Sequence, residues 1–225
     1  MKLKEAIYKF PIFLKSKWLL NKPKKNEYII FDKNGENVIR ELLKKKKIIS
    51  LSSRFEEFYL PFLFKILLKF KFQNIYFEYQ KSLINYINPK FIITFIDNNI
   101  IFYKLKTYFP SIKFISIQNG NRLSLGDFLD SRKKFNKLKK QKLTCDYYIV
   151  QDEFSKQFLS QVFKSKFIVL GSLKNNLTKL KKQKKNNRIL FISQWRDIEK
   201  IPIQEKIYSK NEFYIADNIL FKKIV

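Results

Sequence analysis

A chain of 225 residues with 45% apolar content can bury one full hydrophobic core and part of a second, which excludes a disordered chain. Its 47 Lys plus Arg against 19 Asp plus Glu leave a net charge of +28, which points to an anionic partner, although heavy use of Lys, Ile, Phe and Asn is also what an AT-rich coding sequence produces. With no histidine and a single cysteine, Cys145, the chain cannot use Ser-His-Asp or Cys-His catalysis, a histidine-bearing zinc site or a disulfide framework, which suits a reducing compartment.

In chain order, residues 1–27 form a basic leader, predicted as one helix broken near Pro11, with no small-residue cleavage site of a secretory signal. No apolar run reaches the ~20 residues that a membrane span needs. Strand predictions follow at residues 28–31, 48–51, 91–96, 114–117, 147–150 and 167–170, and helices at 36–45, 56–72, 73–87, 100–109 and 154–163. The strands are apolar without alternation, as expected of strands buried on both faces of a parallel sheet. Residues 28–173 therefore read as one α/β domain, a Rossmann-like doubly wound parallel sheet of about six strands. Residues 174–187 are polar and Lys-rich and read as a linker. A new strand at 189–192 opens a second domain over 188–225, which the remaining length would leave truncated, with one or two helices.

In such sheets ligands bind beyond the carboxyl ends of the strands, where polar turns are expected. Asp97, Asn98 and Asn99 end one strand; a carboxylate and two amides can orient sugar hydroxyls or supply a base, and one of them can cap the following helix. Gln118, Asn119, Gly120, Asn121 and Arg122 end the next; Gly120 can take positive φ, and Arg122 offers a planar fork to phosphate. Residues 32–35 (DKNG) are neither GxGxxG nor a P-loop. Ser52, Ser53 and Arg54 precede Glu56, an alternative base that also fits a capping box from Ser53. Asp127 and Asp130 do not make an Asp-x-Asp metal motif, so neither metal nor cofactor is expected. Cys145 reads as a small buried hydrophobe. Residues 60–72 (LPFLFKILLKFKF) read first as a crossover helix packed on the sheet and second as a membrane-surface helix edged by Lys65, Lys69 and Lys71. The basic runs at 132–142 and 179–188 read first as solvated surface and second as segments that would attract anionic lipid at ~1 kcal/mol per basic residue near the surface.

The order of residues 91–122 (FIITFIDNNIIFYKLKTYFPSIKFISIQNGNR) resembles the bacterial surface carbohydrate biosynthesis proteins, a group related to glycosyltransferases of the two-Rossmann-domain (GT-B) architecture. Asp146-Tyr147-Tyr148, Gly171-Ser172-Leu173-Lys174-Asn175-Asn176 and Ile189-Leu190-Phe191-Ile192-Ser193-Gln194-Trp195-Arg196 match in the same order, so the resemblance covers residues 28–196. It implies that residues 28–173 are a GT-B N-terminal-type domain and that Ser193, Gln194 and Arg196 face the donor across the interdomain cleft, with Trp195 able to stack on a ring. Many GT-B families place Gln-His-Gly where this chain has Gln118-Asn119-Gly120, so Asn119 keeps a hydrogen-bonding group and loses a titratable one.

The expected function is transfer of a sugar from a nucleotide sugar to a glycan or lipid-linked acceptor in capsule or O-antigen type polysaccharide synthesis. Asp97 is the candidate base, Glu56 its alternative, and Arg122 and Arg196 hold the leaving diphosphate. Two other readings use the same scaffold: a non-catalytic or truncated acceptor-binding domain, and a nucleotide-sugar epimerase-like enzyme. The expected location is the cytoplasm, peripheral on the inner face of the membrane through an anionic lipid surface. Nucleic acid is not an expected partner, because no helix-turn-helix, RRM or zinc pattern accompanies the charge.

Overall fold

The computed structural model describes residues 15–54, 56–68, 74–120, 142–177, 200–203 and 206–209. The chain divides into two units, residues 1–179 and 180–225. In the first, six parallel strands form one sheet: β2 (Tyr28–Phe31), β3 (Ile48–Leu51), β5 (Phe91–Thr94), β6 (Lys113–Ile117), β7 (Leu143–Val150) and β8 (Phe163–Val169), in the order β3-β2-β5-β6-β7-β8. The expected parallel α/β sheet is thus present. The order reverses between β2 and β5, which is the topological switch point of a doubly wound sheet.

The side chains of these strands alternate between two layers. Ile29, Phe31, Ile92, Phe114, Tyr148 and Val150 enter one core; Ile30, Ile93 and Ile117 enter another. The larger layer is covered by α2 (Leu60–Leu67), α3 (Ile75–Ile87), α4 (Ile100–Tyr108) and α5 (Glu153–Ser160). The smaller is covered by α1 (Glu36–Leu42) and α6 (Leu173–Asn176), through Ile39 and Leu173. In the larger layer Tyr103 packs 4.8 Å from Phe163, and Tyr148 lies 5.1 Å from the same ring. Pairs of this kind add about 0.5–1.5 kcal/mol each beyond their buried area.

The helix ends follow the local chemistry. Asn99 caps α4, its Oδ1 accepting from the Ile101 N–H at 3.0 Å, and Asp152 caps α5, accepting from the Ser155 N–H at 2.6 Å. Asn88, at φ 50°, closes α3 just before Pro89, which disfavours continuation.

Four segments differ from the sequence reading. The leader was expected to be helical, yet Lys17–Leu19 is a strand, β1, paired in parallel with β4 (Glu57–Tyr59). The helix expected over 56–72 therefore starts only at Leu60. Pro61 lacks an N–H and fits the first helical turn, so it marks a helix start inside what looked like one apolar run. Within α2, Phe62, Leu63 and Ile66 are buried and Phe64 is exposed, as in a crossover helix packed on the sheet. Finally, β7 and β8 begin four residues before their expected starts, at Leu143 and Phe163, because their long parallel pairing overrides the lysines of β8, the edge strand.

A bulge in β7 sets Cys145 and Asp146 opposite the single residue Ser165. It turns Asp146 toward β6, where it accepts from the Phe114 N–H at 2.8 Å and pairs with Lys106 at 2.7 Å.

The described part of the second unit is an antiparallel hairpin, β9 (Lys200–Ile203) with β10 (Lys206–Ser209), where helices were expected. The strand expected at 189–192, the basic runs, Lys69, Lys71, Asp127 and Asp130 lie outside the described residues.

Candidate functional site

The carboxyl ends of β2, β3 and β5 meet at the switch point, and one buried carboxylate joins two of them. Asp32 follows β2 in the left-handed region, at φ 84°, a conformation that Asp tolerates through its own short hydrogen bonds. Its Oδ1 accepts from the Asn34 N–H at 2.8 Å. Its Oδ2 accepts from the Ser53 hydroxyl and, at 3.1 Å, from Arg54 Nε, both beyond the end of β3. The Asn99 amide, beyond β5, donates to Ser53 Oγ at 3.1 Å. Asp32, Ser53 and Asn99 thus lock three strand ends together, while the Arg54 side chain remains 49% exposed above them.

Beside this cluster Ser52 and Glu56 bond reciprocally: Ser52 Oγ donates to Glu56 Oε2 at 3.1 Å and accepts from the Glu56 N–H at 3.0 Å. The capping box expected from Ser53 is not made: Ser53 is engaged by Asp32, and the Ser52–Glu56 pair closes the turn before β4 rather than capping a helix. The Glu56 residue is exposed. Beneath, the Ser52 carbonyl accepts from Tyr76 Oη at 3.0 Å and Gln80 Nε2 at 2.8 Å. Burial pushes the Tyr76 phenol far above its ordinary range, so it serves as a neutral donor there.

On the α1 side, Gly35 takes φ 78°, and a Cβ there would lie 2.5 Å from Cδ1 of Phe95, the residue after β5. Phe95 in turn carries Lys174 Nζ 5.2 Å from its ring centre. Arg54 and Lys174 are thus cationic groups anchored around the switch point, the first on Asp32 and the second over Phe95. Lys33 is paired with Glu57 at 2.6 Å.

The other expected residues divide clearly. Asp97 has 0% exposure; its Oδ2 accepts from Tyr148 Oη at 3.0 Å and its carbonyl from Tyr103 Oη at 2.6 Å. Burial raises the Tyr103 and Tyr148 phenols well above their ordinary range, which keeps both protonated as donors. Asn98 is exposed, and Asn99 is the helix cap and the Ser53 partner already described. Gln118 is buried and bridges β6, β7 and α5: it donates to the Gly120 carbonyl at 2.9 Å and to Ser155 Oγ at 3.2 Å, and accepts from the Gln151 N–H at 2.9 Å. Asn119 and Gly120 are half-buried next to it. Gly120 does not take the positive φ expected of it; Gly35 and Gly171 do. Arg122, Ser193, Gln194, Trp195 and Arg196 lie outside the described residues. Sequence reasoning set Ser52, Ser53 and Arg54, with Glu56 and Glu57, facing the cleft from the polar triplet that ends the strand, but it gave Arg54 no role in holding phosphate and did not single out Lys174.

Among the described residues no cluster of His, Cys, Asp and Glu could hold a metal ion, and no helix is long and apolar enough to cross a membrane.

Residues 115–225 match the model of a family described as putative O-antigen biosynthesis protein. The match begins inside β6, so it spans β7, β8 and the second unit and leaves β2, β3 and β5 outside. Comparison with curated proteins and with solved structures returns no match. The family match associates the chain with surface carbohydrate biosynthesis.

Proposed function

We propose that the chain is a glycosyltransferase-like protein of O-antigen type polysaccharide synthesis that holds a nucleotide sugar at the switch point between β2 and β5. The observation that carries this reading is the cluster of Asp32, Ser53, Arg54 and Asn99, which fixes three strand ends and leaves a guanidinium facing outward. Arg54 and Lys174 supply positive charge for a diphosphate, and a nearly neutral surface would not. Asn98 and Asn99 offer amide groups to the sugar, Asn119 and Gly120 follow β6 on the same rim, and Arg122 is assigned to the phosphate in this reading. Ser193, Gln194 and Arg196 belong to the donor side in this reading.

In the transfer step a base takes the proton of the acceptor hydroxyl, the hydroxyl oxygen bonds to the anomeric carbon, and the nucleoside diphosphate leaves with the electron pair of the broken C–O bond. A base must touch the acceptor, so the exposed Glu56 suits the role better than Asp97, whose buried carboxylate instead positions the end of β5. The acceptor is a glycan or a lipid-linked glycan, the reaction cytoplasmic, and the nucleotide sugar is substrate with no separate cofactor.

A second reading, a non-catalytic acceptor-binding domain, is favoured by the burial of both Asp32 and Asp97. The Glu56→Gln variant separates the two. Transfer to acceptor is measured with a radiolabelled nucleotide-sugar panel, and donor binding by calorimetry. Loss of transfer with retained binding supports the enzyme; binding without transfer in the unsubstituted chain supports the binding domain.

A further inference from the structure

Toward the other end of β3 lies a cavity of about 580 Å3, lined by Trp18, Leu20, Ile49 and Tyr59 with Lys22 and Lys24 among its walls. Ile48 and Ile49 start β3, whereas Ser53 follows its carboxyl end, so the cavity sits ~15 Å along the strand from the switch point at ~3.3 Å per residue. Two features mark its chemistry. Its walls are mainly apolar, and Leu20 at its edge is 76% exposed. Around it, residues 15–27 carry Lys15, Lys17, Lys22, Lys24 and Lys25 against one acid, Glu27, which is occupied by Lys90 at 2.6 Å. Among the described residues none of these five lysines is paired with a carboxylate. Lys22 and Lys25 both lie near the Tyr86 ring, at 5.7 and 5.8 Å.

We propose that this cavity is a site for an anionic membrane lipid, with an acyl chain against Trp18 and Leu20 and the headgroup phosphate on Lys22 and Lys24. Stable peripheral attachment takes an apolar and an electrostatic element together, and this site combines them. The positive charge of the chain as a whole complements the same surface. The proposal does not rest on the nucleotide-sugar reading, and its failure would leave that reading intact.

The test uses the full chain and vesicles of phosphatidylcholine with phosphatidylglycerol. Lys22→Glu/Lys24→Glu should lower vesicle partitioning at least about thirtyfold, from ~1 kcal/mol of surface attraction per lysine. Lys104→Glu/Lys164→Glu, an equal change of net charge at exposed positions elsewhere, should lower it by a far smaller factor. In a Trp195→Phe background Trp18 is the sole tryptophan, and phosphatidylglycerol brominated on its acyl chains should quench its emission. Equal losses in the two double variants would show attraction by net charge alone and overturn the site. Binding without quenching, or displacement by soluble glycerol phosphate at matched phosphate concentration, would overturn the acyl-chain part and with it the proposal.

Discussion

Gly35→Ala isolates the close approach on which the switch point depends. Two costs add. At φ 78° an alanine sits in the left-handed region, at about 1–2 kcal/mol. Its Cβ would also lie 2.5 Å from Cδ1 of Phe95, a ring that is itself buried, so the ring must leave its rotamer or the turn must shift, at about 1–3 kcal/mol. The sum, about 2–5 kcal/mol, is a large part of a typical domain's total stability of about 5–15 kcal/mol. The other glycines provide the scale. Gly171 has φ 74° but only ordinary contacts, at 3.8 Å to Asn176, so Gly171→Ala should cost the left-handed term alone. Gly120 has no atom of the described residues within 4 Å of a Cβ and no positive φ, so Gly120→Ala should be neutral or stabilise by up to about 1 kcal/mol through the unfolded state. Urea unfolding followed by circular dichroism ranks the three. If Gly35→Ala costs no more than Gly171→Ala, the contact with Phe95 is not what constrains the turn.

Other consequences are equally direct. Burial pushes the Cys145 thiol up to about 12, so a thiol reagent at pH 7 should label it only as fast as the protein opens, and addition of urea should accelerate labelling sharply. Tyr148→Phe removes a donor from the buried Asp97 carboxylate and should cost about 1–3 kcal/mol in urea unfolding, with any loss of transfer activity tracking loss of folded protein. For Asp146, desolvation raises the carboxyl pKa, but the bond from Lys106, the Phe114 N–H and the charges of Lys106 and Lys113 outweigh it and lower it overall. A depressed folded-state pKa gives stability that is present above the unfolded value and lost as pH falls through the folded one. Asp146→Asn should therefore destabilise at pH 7 and lose most of that penalty on the acid side of the unfolded pKa, near ~3.9. A penalty that is constant with pH would refute the charge assignment.

What could be read from the residues was what local pattern determines. The runs at Tyr28–Phe31, Phe91–Thr94 and Lys113–Ile117 are apolar enough to be central strands, and the polar residues that end them mark the carboxyl rim. What could not be read depends on partners distant in sequence. β1 and β4 are three-residue strands that exist through each other, across forty residues. Asp32 becomes a hub because Ser53 and Arg54, more than twenty residues on, turn back to it. The Asp97-Asn98-Asn99 triplet shows the same limit: three polar residues at one strand end look equivalent, yet the fold buries the first, exposes the second and makes the third a cap. Gly35 rather than Gly120 carries the conformational demand because only Gly35 faces a ring from another strand.

The central claim is that the switch point between β2 and β5 binds a nucleotide sugar through Arg54. Arg54 is half exposed but its partner Asp32 is buried, so Arg54→Ala should cost about 1–3 kcal/mol of stability, limited by the bonds that Asp32 keeps from Ser53 and the Asn34 N–H. A charge-assisted bond to a diphosphate is worth about 1.5–3 kcal/mol, so Arg54→Ala should weaken nucleotide-sugar binding about 10- to 150-fold, with urea unfolding of the same variant showing that the titrated protein is folded. Calorimetric titration of the full chain and of Arg54→Ala with the nucleotide sugar that binds best measures this. An affinity unchanged in Arg54→Ala, for a ligand that the unsubstituted chain binds, would place the ligand elsewhere and contradict the claim.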